Sequence, residues 1–149
     1  MKFFLKVKNG FGWLILLLCL GLTFASSQSA KAAPGKIIGS AEDHGIKLTI
    51  NNYELKNYGQ EMVVYYTVQS KSGNPMEGKS LINKPDFTIG DRFVQGIDSW
   101  HKKVDSQQYQ GAVKVELPQY RPAVSDVEFN TDAIFNQKGN WTITFQIKK

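Results

Sequence analysis

Apolar and polar residues alternate with a period of two through most of the chain beyond Gly45, and that period predicts strands. In "GIKLTINNYEL", Ile46, Leu48 and Ile50 share one phase, with Lys47 and Thr49 on the other. The phase slips at Asn51-Asn52 and resumes at Tyr53 and Leu55, as one extra residue in a β-bulge or a strand bend makes it do. "KNYGQ" is turn chemistry, because Asn57 and Gly59 tolerate positive φ. "EMVVYYTVQS" follows, with Met62, Val64, Tyr66 and Val68 on one phase and Val63, Tyr65 and Thr67 on the other. Both phases are largely apolar, which predicts a central strand; its second phase could offer Tyr65 to a partner, but a second sheet lying over Tyr65 is the simpler account.

"KSGNPMEGKS", Lys71 to Ser80, has the densest breaker signal and predicts a loop. "DFTIG" and "DRFVQG" read as two short strands around Gly90-Asp91, and Pro85 ahead of them suggests an edge position. "IDSWHKKVDSQQYQ", Ile97 to Gln110, reads as loop or a short turn of helix. "GAVKVELP" alternates again, "YRPAVSDVEFN" holds a strand around Val124 to Phe129, and "TDAIFNQKGN" reads as a turn. The final "GNWTITFQIKK" places Trp141, Ile143, Phe145 and Ile147 on one face, against Asn140, Thr142, Thr144, Gln146 and Lys148. Its one-sided face predicts a strand closing the core, with Trp141 as anchor and Lys148 and Lys149 discouraging edge-to-edge pairing. No stretch carries a 3.6-residue apolar stripe of helical length. About seven short strands predict an all-β, immunoglobulin-like β-sandwich, with a small closed barrel as the alternative.

The first third departs from this pattern. Lys2, Lys6 and Lys8 precede "WLILLLCLGLTFA", an apolar run from Trp13 to Ala25, and "SSQSAKAAPG" follows. A charged start, an apolar stretch of that length and small residues at Ala30 and Ala32 predict a helical signal peptide cleaved between Ala32 and Ala33. The run falls short of the roughly 20 apolar residues of a comfortable membrane span. An uncleaved N-terminal membrane anchor is the alternative, and only then does the membrane become a partner. The predicted organisation is a signal peptide over residues 1–32, a flexible lead-in over 33–40 and a sandwich over 41–149, secreted or otherwise extracytoplasmic. Cys19, the sole cysteine, lies within the apolar run, where it reads as an apolar thiol rather than a lipid attachment point. The mature domain is thus predicted to fold without a disulfide.

The signal segment also explains the charge. The chain has 18 basic and 13 acidic residues. Residues 1–32 hold four of the lysines and no acid, leaving 14 against 13. A mature net charge near +1 argues against nucleic acid as a partner.

Chemistry-bearing patterns are sparse. His44 and His101 stand far apart with no second ligand at a metal-binding spacing, so no metal or other cofactor is predicted. Asp86, Asp91, Asp98 and Asp105 each adjoin Gly, Ser or Pro, as turn formers do, and no nucleophile motif occurs, so the chain reads as non-enzymatic. "NWT" at Asn140 to Thr142 fits the glycosylation sequon but lies inside a strand, and it reads as chance. The most suggestive cluster is "DSWHKK". Trp100, His101, Lys102 and Lys103, with Tyr109 nearby, form a candidate binding loop, since aromatic residues on loops supply interface anchors. The competing expectation, favoured by the usual burial of tryptophan, turns Trp100 inward as a core plug.

"GIKLTINNYELKNYGQEMVVYYTVQSKSG" (Gly45–Gly73), together with "GNWTITF" (Gly139–Phe145), resembles a group of extracytoplasmic immunoglobulin-like domains of unknown function in Bacillus-type Gram-positive bacteria. Such domains occur on anti-sigma-factor-like and membrane-anchored proteins. This chain departs from them in having only ten residues ahead of Phe11. The resemblance implies a fold and an extracytoplasmic setting, and it supplies no catalytic residues. The sequence as a whole points to recognition of a protein or cell-envelope component. A secreted inhibitor or immunity-type protein presenting Lys71–Ser80, and an envelope-acting hydrolase, are the readings from other classes.

Overall fold

The computed structural model describes residues 37–72, 81–82 and 84–149. The chain divides after Ala33, and the second unit, Pro34–Lys149, holds all of them. The expected signal helix and the Ala32–Ala33 cleavage point lie outside the described residues, as does most of the Lys71–Ser80 loop.

Among the described residues nine strands run in order: β1 (Gly39–Asp43), β2 (Ile46–Lys56), β3 (Glu61–Ser70), β4 (Asp86–Ile89), β5 (Arg92–Gln95), β6 (Ile97–Lys103), β7 (Gln108–Glu116), β8 (Val124–Ile134) and β9 (Gln137–Lys148). They form two antiparallel sheets, β1-β2-β3-β7-β6 and β5-β4-β8-β9. The protein is an immunoglobulin-like β-sandwich. Alternation explains how the sheets meet. Leu48, Ile50, Val64, Tyr66 and Val113 of the first sheet and Phe87, Phe129, Trp141 and Ile147 of the second are all buried between them. Each such side chain contributes about 1.5–3 kcal/mol by leaving water.

The predicted slip in β2 is a β-bulge. Register against β3 shifts between Ile50 and Asn52, and Asn51 Nδ2 donates to Thr67 Oγ1 at 2.7 Å. β3 lies at the centre of its sheet, flanked by β2 and β7. The second sheet covers the phase of Tyr66, which is buried. Tyr65 sits on the outer face and is half-exposed, correcting the expectation that a sheet lies over it.

Three further expectations need correction. Ile97–Lys103 is the strand β6, not a loop or helical turn. Pro85 does not mark an edge: β4 lies between β5 and β8, and the edge is the four-residue β5. Pro85 stands just outside the ladder, where its missing N–H costs nothing, and its carbonyl accepts the Gly96 N–H at 2.7 Å. Finally, "TDAIFNQKGN" is mostly strand. The reversal takes only Phe135 and Asn136, both in the left-handed region (φ 53° and 64°), and buried Phe135 meets the Tyr109 ring edge-on at 4.9 Å.

The two flanks of the sandwich are closed differently. On one, β5 passes through Gly96 directly into β6, so a single run of chain changes sheets. A side chain at Gly96 would lie 2.7 Å from both Phe87 and Val113, which is why glycine stands at the crossing. On the other flank, β1 approaches β9 of the opposite sheet. There Asp43 Oδ2 accepts the Asn140 N–H at 2.8 Å.

Candidate functional site

The sequence cluster around Trp100 is built by a bulge. β6 pairs with β7 through Ile97↔Lys114 and Asp98↔Val113, then shifts register so that Trp100 pairs with Ala112 and Lys102 with Gln110. In an unbroken strand, residues three apart face opposite ways. The extra residue at Ser99 reverses the phase and brings Ile97 and Trp100 to the same outer face. Both are exposed, Ile97 at 69% and Trp100 at 45%. Trp100 is therefore not a core plug.

Neighbouring strands complete the surface. Ala112 has Trp100 on one side and Tyr65 on the other as cross-strand partners. It belongs to the outer phase of β7 yet is wholly buried. A methyl group there loses all contact with water only when flanking side chains lie over it, and these two are positioned to do so. Val63, the partner of Lys114, is 8% exposed and extends the apolar ground. The rim is charged: Lys114 Nζ pairs with Glu61 at 2.5 Å, and the Tyr65 hydroxyl donates to Glu54 at 3.0 Å. Burial, and then the Glu54 carboxylate, push the Tyr65 phenol up from its ordinary value.

The structure splits the remaining members of the cluster. Lys102 shares the outer phase with Trp100, whereas His101 and Lys103 pair with Gly111 and Tyr109 on the opposite phase. Tyr109 is a core residue, 7% exposed, with Lys103 Nζ 5.9 Å from its ring centroid. Its ring lies on the inner phase of β7, opposite to the face that carries Trp100. Ile97 and Tyr65 share the outer face with Trp100; the sequence offers Tyr65 only as the less simple alternative to a covered residue, and Ile97 not at all. A lone isoleucine after Gly96 gives no alternation, and the sidedness of Tyr65 depends on which phase of β3 meets the second sheet.

The outer face of the four-stranded sheet offers a different surface. A shallow depression of about 510 Å³ is lined by Thr88, Asp126, Glu128, Thr144 and Gln146, among others. Gln146 Nε2 donates to Asp126 Oδ1 at 2.8 Å, so one of its two carboxylates is held by an amide. Among the described residues, no three His, Cys, Asp or Glu side chains converge into a possible metal-binding group. Of the loop suggested for an inhibitor, Lys71 and Ser72 are described, and Lys71 pairs with Glu42 at 2.5 Å. No protein-family model matches the chain, and a search of curated proteins finds no similar sequence.

Proposed function

We propose that this is an exported, non-enzymatic recognition domain that engages a protein of the cell envelope through the outer face of its five-stranded sheet. One observation carries the reading: a strand bulge spends an extra residue to place Trp100 beside Ile97, both exposed, over ground built by Tyr65, Val63 and Ala112. Exposed tryptophan and tyrosine are the residue types that anchor protein interfaces. The aliphatic neighbour, Ile97, favours a protein partner over a glycan, because an isoleucine offers nothing to a sugar hydroxyl. Export rests on the charged start, the apolar run and the small residues before Ala33.

The test is affinity capture from envelope extracts with the wild-type protein and with an Ile97→Ser/Trp100→Ser variant. Both side chains lie on the outer face, away from the core between the sheets, so the variant should still melt cooperatively, somewhat below the wild type because Ala112 loses the cover of Trp100. A captured protein lost only with the variant supports the reading. Equal capture by both proteins rules this face out as the recognition surface.

A further inference from the structure

We propose a second ligand site, a carboxylate-binding site centred on Arg121, at the end of the sandwich where the β2–β3 turn meets the β7–β8 loop. Arg121 is 8% exposed. Its Nε and Nη1 are buried with no hydrogen-bond partner, and Nη2 makes one long bond, 3.5 Å, to the Gly59 carbonyl. No carboxylate pairs with it among the described residues. Folded proteins pair their buried charges, because an isolated one forfeits its hydration and gains nothing in return. A guanidinium in this state gains by taking a carboxylate from outside the chain.

The surroundings fit a site that accepts one from outside. The turn that covers Arg121 holds Asn57 and Tyr58 in left-handed backbone (φ 51° and 55°), a conformation asparagine tolerates but one unfavourable for Tyr58. Tyr58 is fully exposed and Tyr120, next to Arg121 in sequence, is 86% exposed. The two loops are joined by the Leu117 N–H donating to the Gln60 carbonyl at 2.8 Å, so both tyrosines belong to the same end of the domain. Tyrosines flanking a cation give a partner broad contact area around one charged anchor. A single buried positive charge calls for a single negative one. An acidic side chain of a partner protein supplies it in the planar form that guanidinium recognises. Nε and Nη1 are covered, so a carboxylate reaches them only if the side chain or the turn over it shifts.

The experiment is thermal melting of the full chain, wild type and Arg121→Met, with increasing amounts of a short glutamate-rich peptide and, separately, of inorganic phosphate. The peptide should raise the wild-type Tm in a concentration-dependent way and leave Arg121→Met unmoved. Without ligand, Arg121→Met should melt above the wild type, since it removes an unpaired buried charge and keeps an apolar stem. The Ile97→Ser/Trp100→Ser variant should still respond, which separates this site from the outer sheet face. A lower Tm for Arg121→Met, or a peptide response that survives the substitution, overturns the proposal. A response to phosphate but not to peptide overturns the choice of a carboxylate.

Discussion

The indole Nε1 of Trp141 donates to the main-chain carbonyl of Ile46 at 2.8 Å, inside the core. Trp141 belongs to β9 and Ile46 to β2, so one buried hydrogen bond ties the two sheets face to face. Trp141→Phe keeps an aromatic ring but leaves that carbonyl short of a donor. An unsatisfied buried polar group costs about 1–3 kcal/mol, and Trp141→Ala, which also opens a cavity, about 3–5 kcal/mol. Urea unfolding of both variants measures the difference. If Trp141→Phe unfolds at the wild-type midpoint, the bond between the sheets contributes nothing.

Gly96 and Gly90 should respond to alanine for different reasons. At Gly96 the added methyl group meets Phe87 and Val113 at 2.7 Å, so the crossing strand must shift. Overpacking of that kind costs about 1–3 kcal/mol. At Gly90 nothing lies within 4 Å, but the residue has φ +63° in the β4–β5 turn, so the cost there is purely conformational, about 1–2 kcal/mol. Gly90→Asn should recover much of it, because asparagine tolerates that conformation, whereas Gly96→Asn should be worse than Gly96→Ala. Chemical unfolding of the four variants checks the pattern.

Asp43 should make stability pH-dependent on the acid side. The Asn140 N–H, and then His44, hold its carboxyl below the ordinary value of 3.8. The folded state therefore binds this proton more weakly than the unfolded chain does. Its contribution is complete above about pH 4 and is lost as pH falls through the depressed folded value. Asp43→Asn should be less stable than wild type at neutral pH, and the two should converge in acid. Urea midpoints measured from pH 7 downward test this, and parallel curves would show that the carboxylate is not coupled to folding.

Seven of the nine strands were legible as alternation, and the two that were not, β1 and β6, are the two edges of one sheet. An edge strand has a ladder partner on one side only, so it needs less apolar patterning to be held. β1, "GSAED", has almost none. In β6 the bulge at Ser99 breaks the alternation, and the apolar residues Ile97 and Trp100 lie on the solvent face. The reversal at Phe135-Asn136 was obscured for a related reason. Polar Gln137, Lys138 and Asn140 resemble a turn, while a residue that makes the turn is a buried phenylalanine in left-handed backbone, its ring against Tyr109. The surroundings of Arg121 left no trace in the sequence, because burial of its Nε and Nη1 without a partner is a property of the assembled loops. In contrast, the bulge at Asn51-Asn52 was readable, since apolar residues on both sides of it reveal the change of phase.

N-terminal sequencing of protein recovered from culture medium should begin at or near Ala33. Recovery only in the membrane fraction, with Met1 still in place, would show the apolar run acting as an anchor.

Deleting Thr142–Lys149 should abolish cooperative folding. Among the described residues β9 pairs only with β8 and forms one edge of its sheet. Its inner face is nevertheless core, with Ile143 4% exposed and Ile147 fully buried. Phe145 meets Tyr53 at 5.9 Å, joining the sheets where β1 no longer separates β2 from β9. Losing these three side chains removes about 1.5–3 kcal/mol each, which together approaches the 5–15 kcal/mol of a typical domain. It also bares β8, with Val127 and Phe129, as a new unpaired edge prone to association. Deleting only Lys148 and Lys149, both exposed, should leave the thermal transition nearly unchanged. If the longer truncation still melts in one sharp transition, β9 is peripheral and the core is closed by the remaining strands.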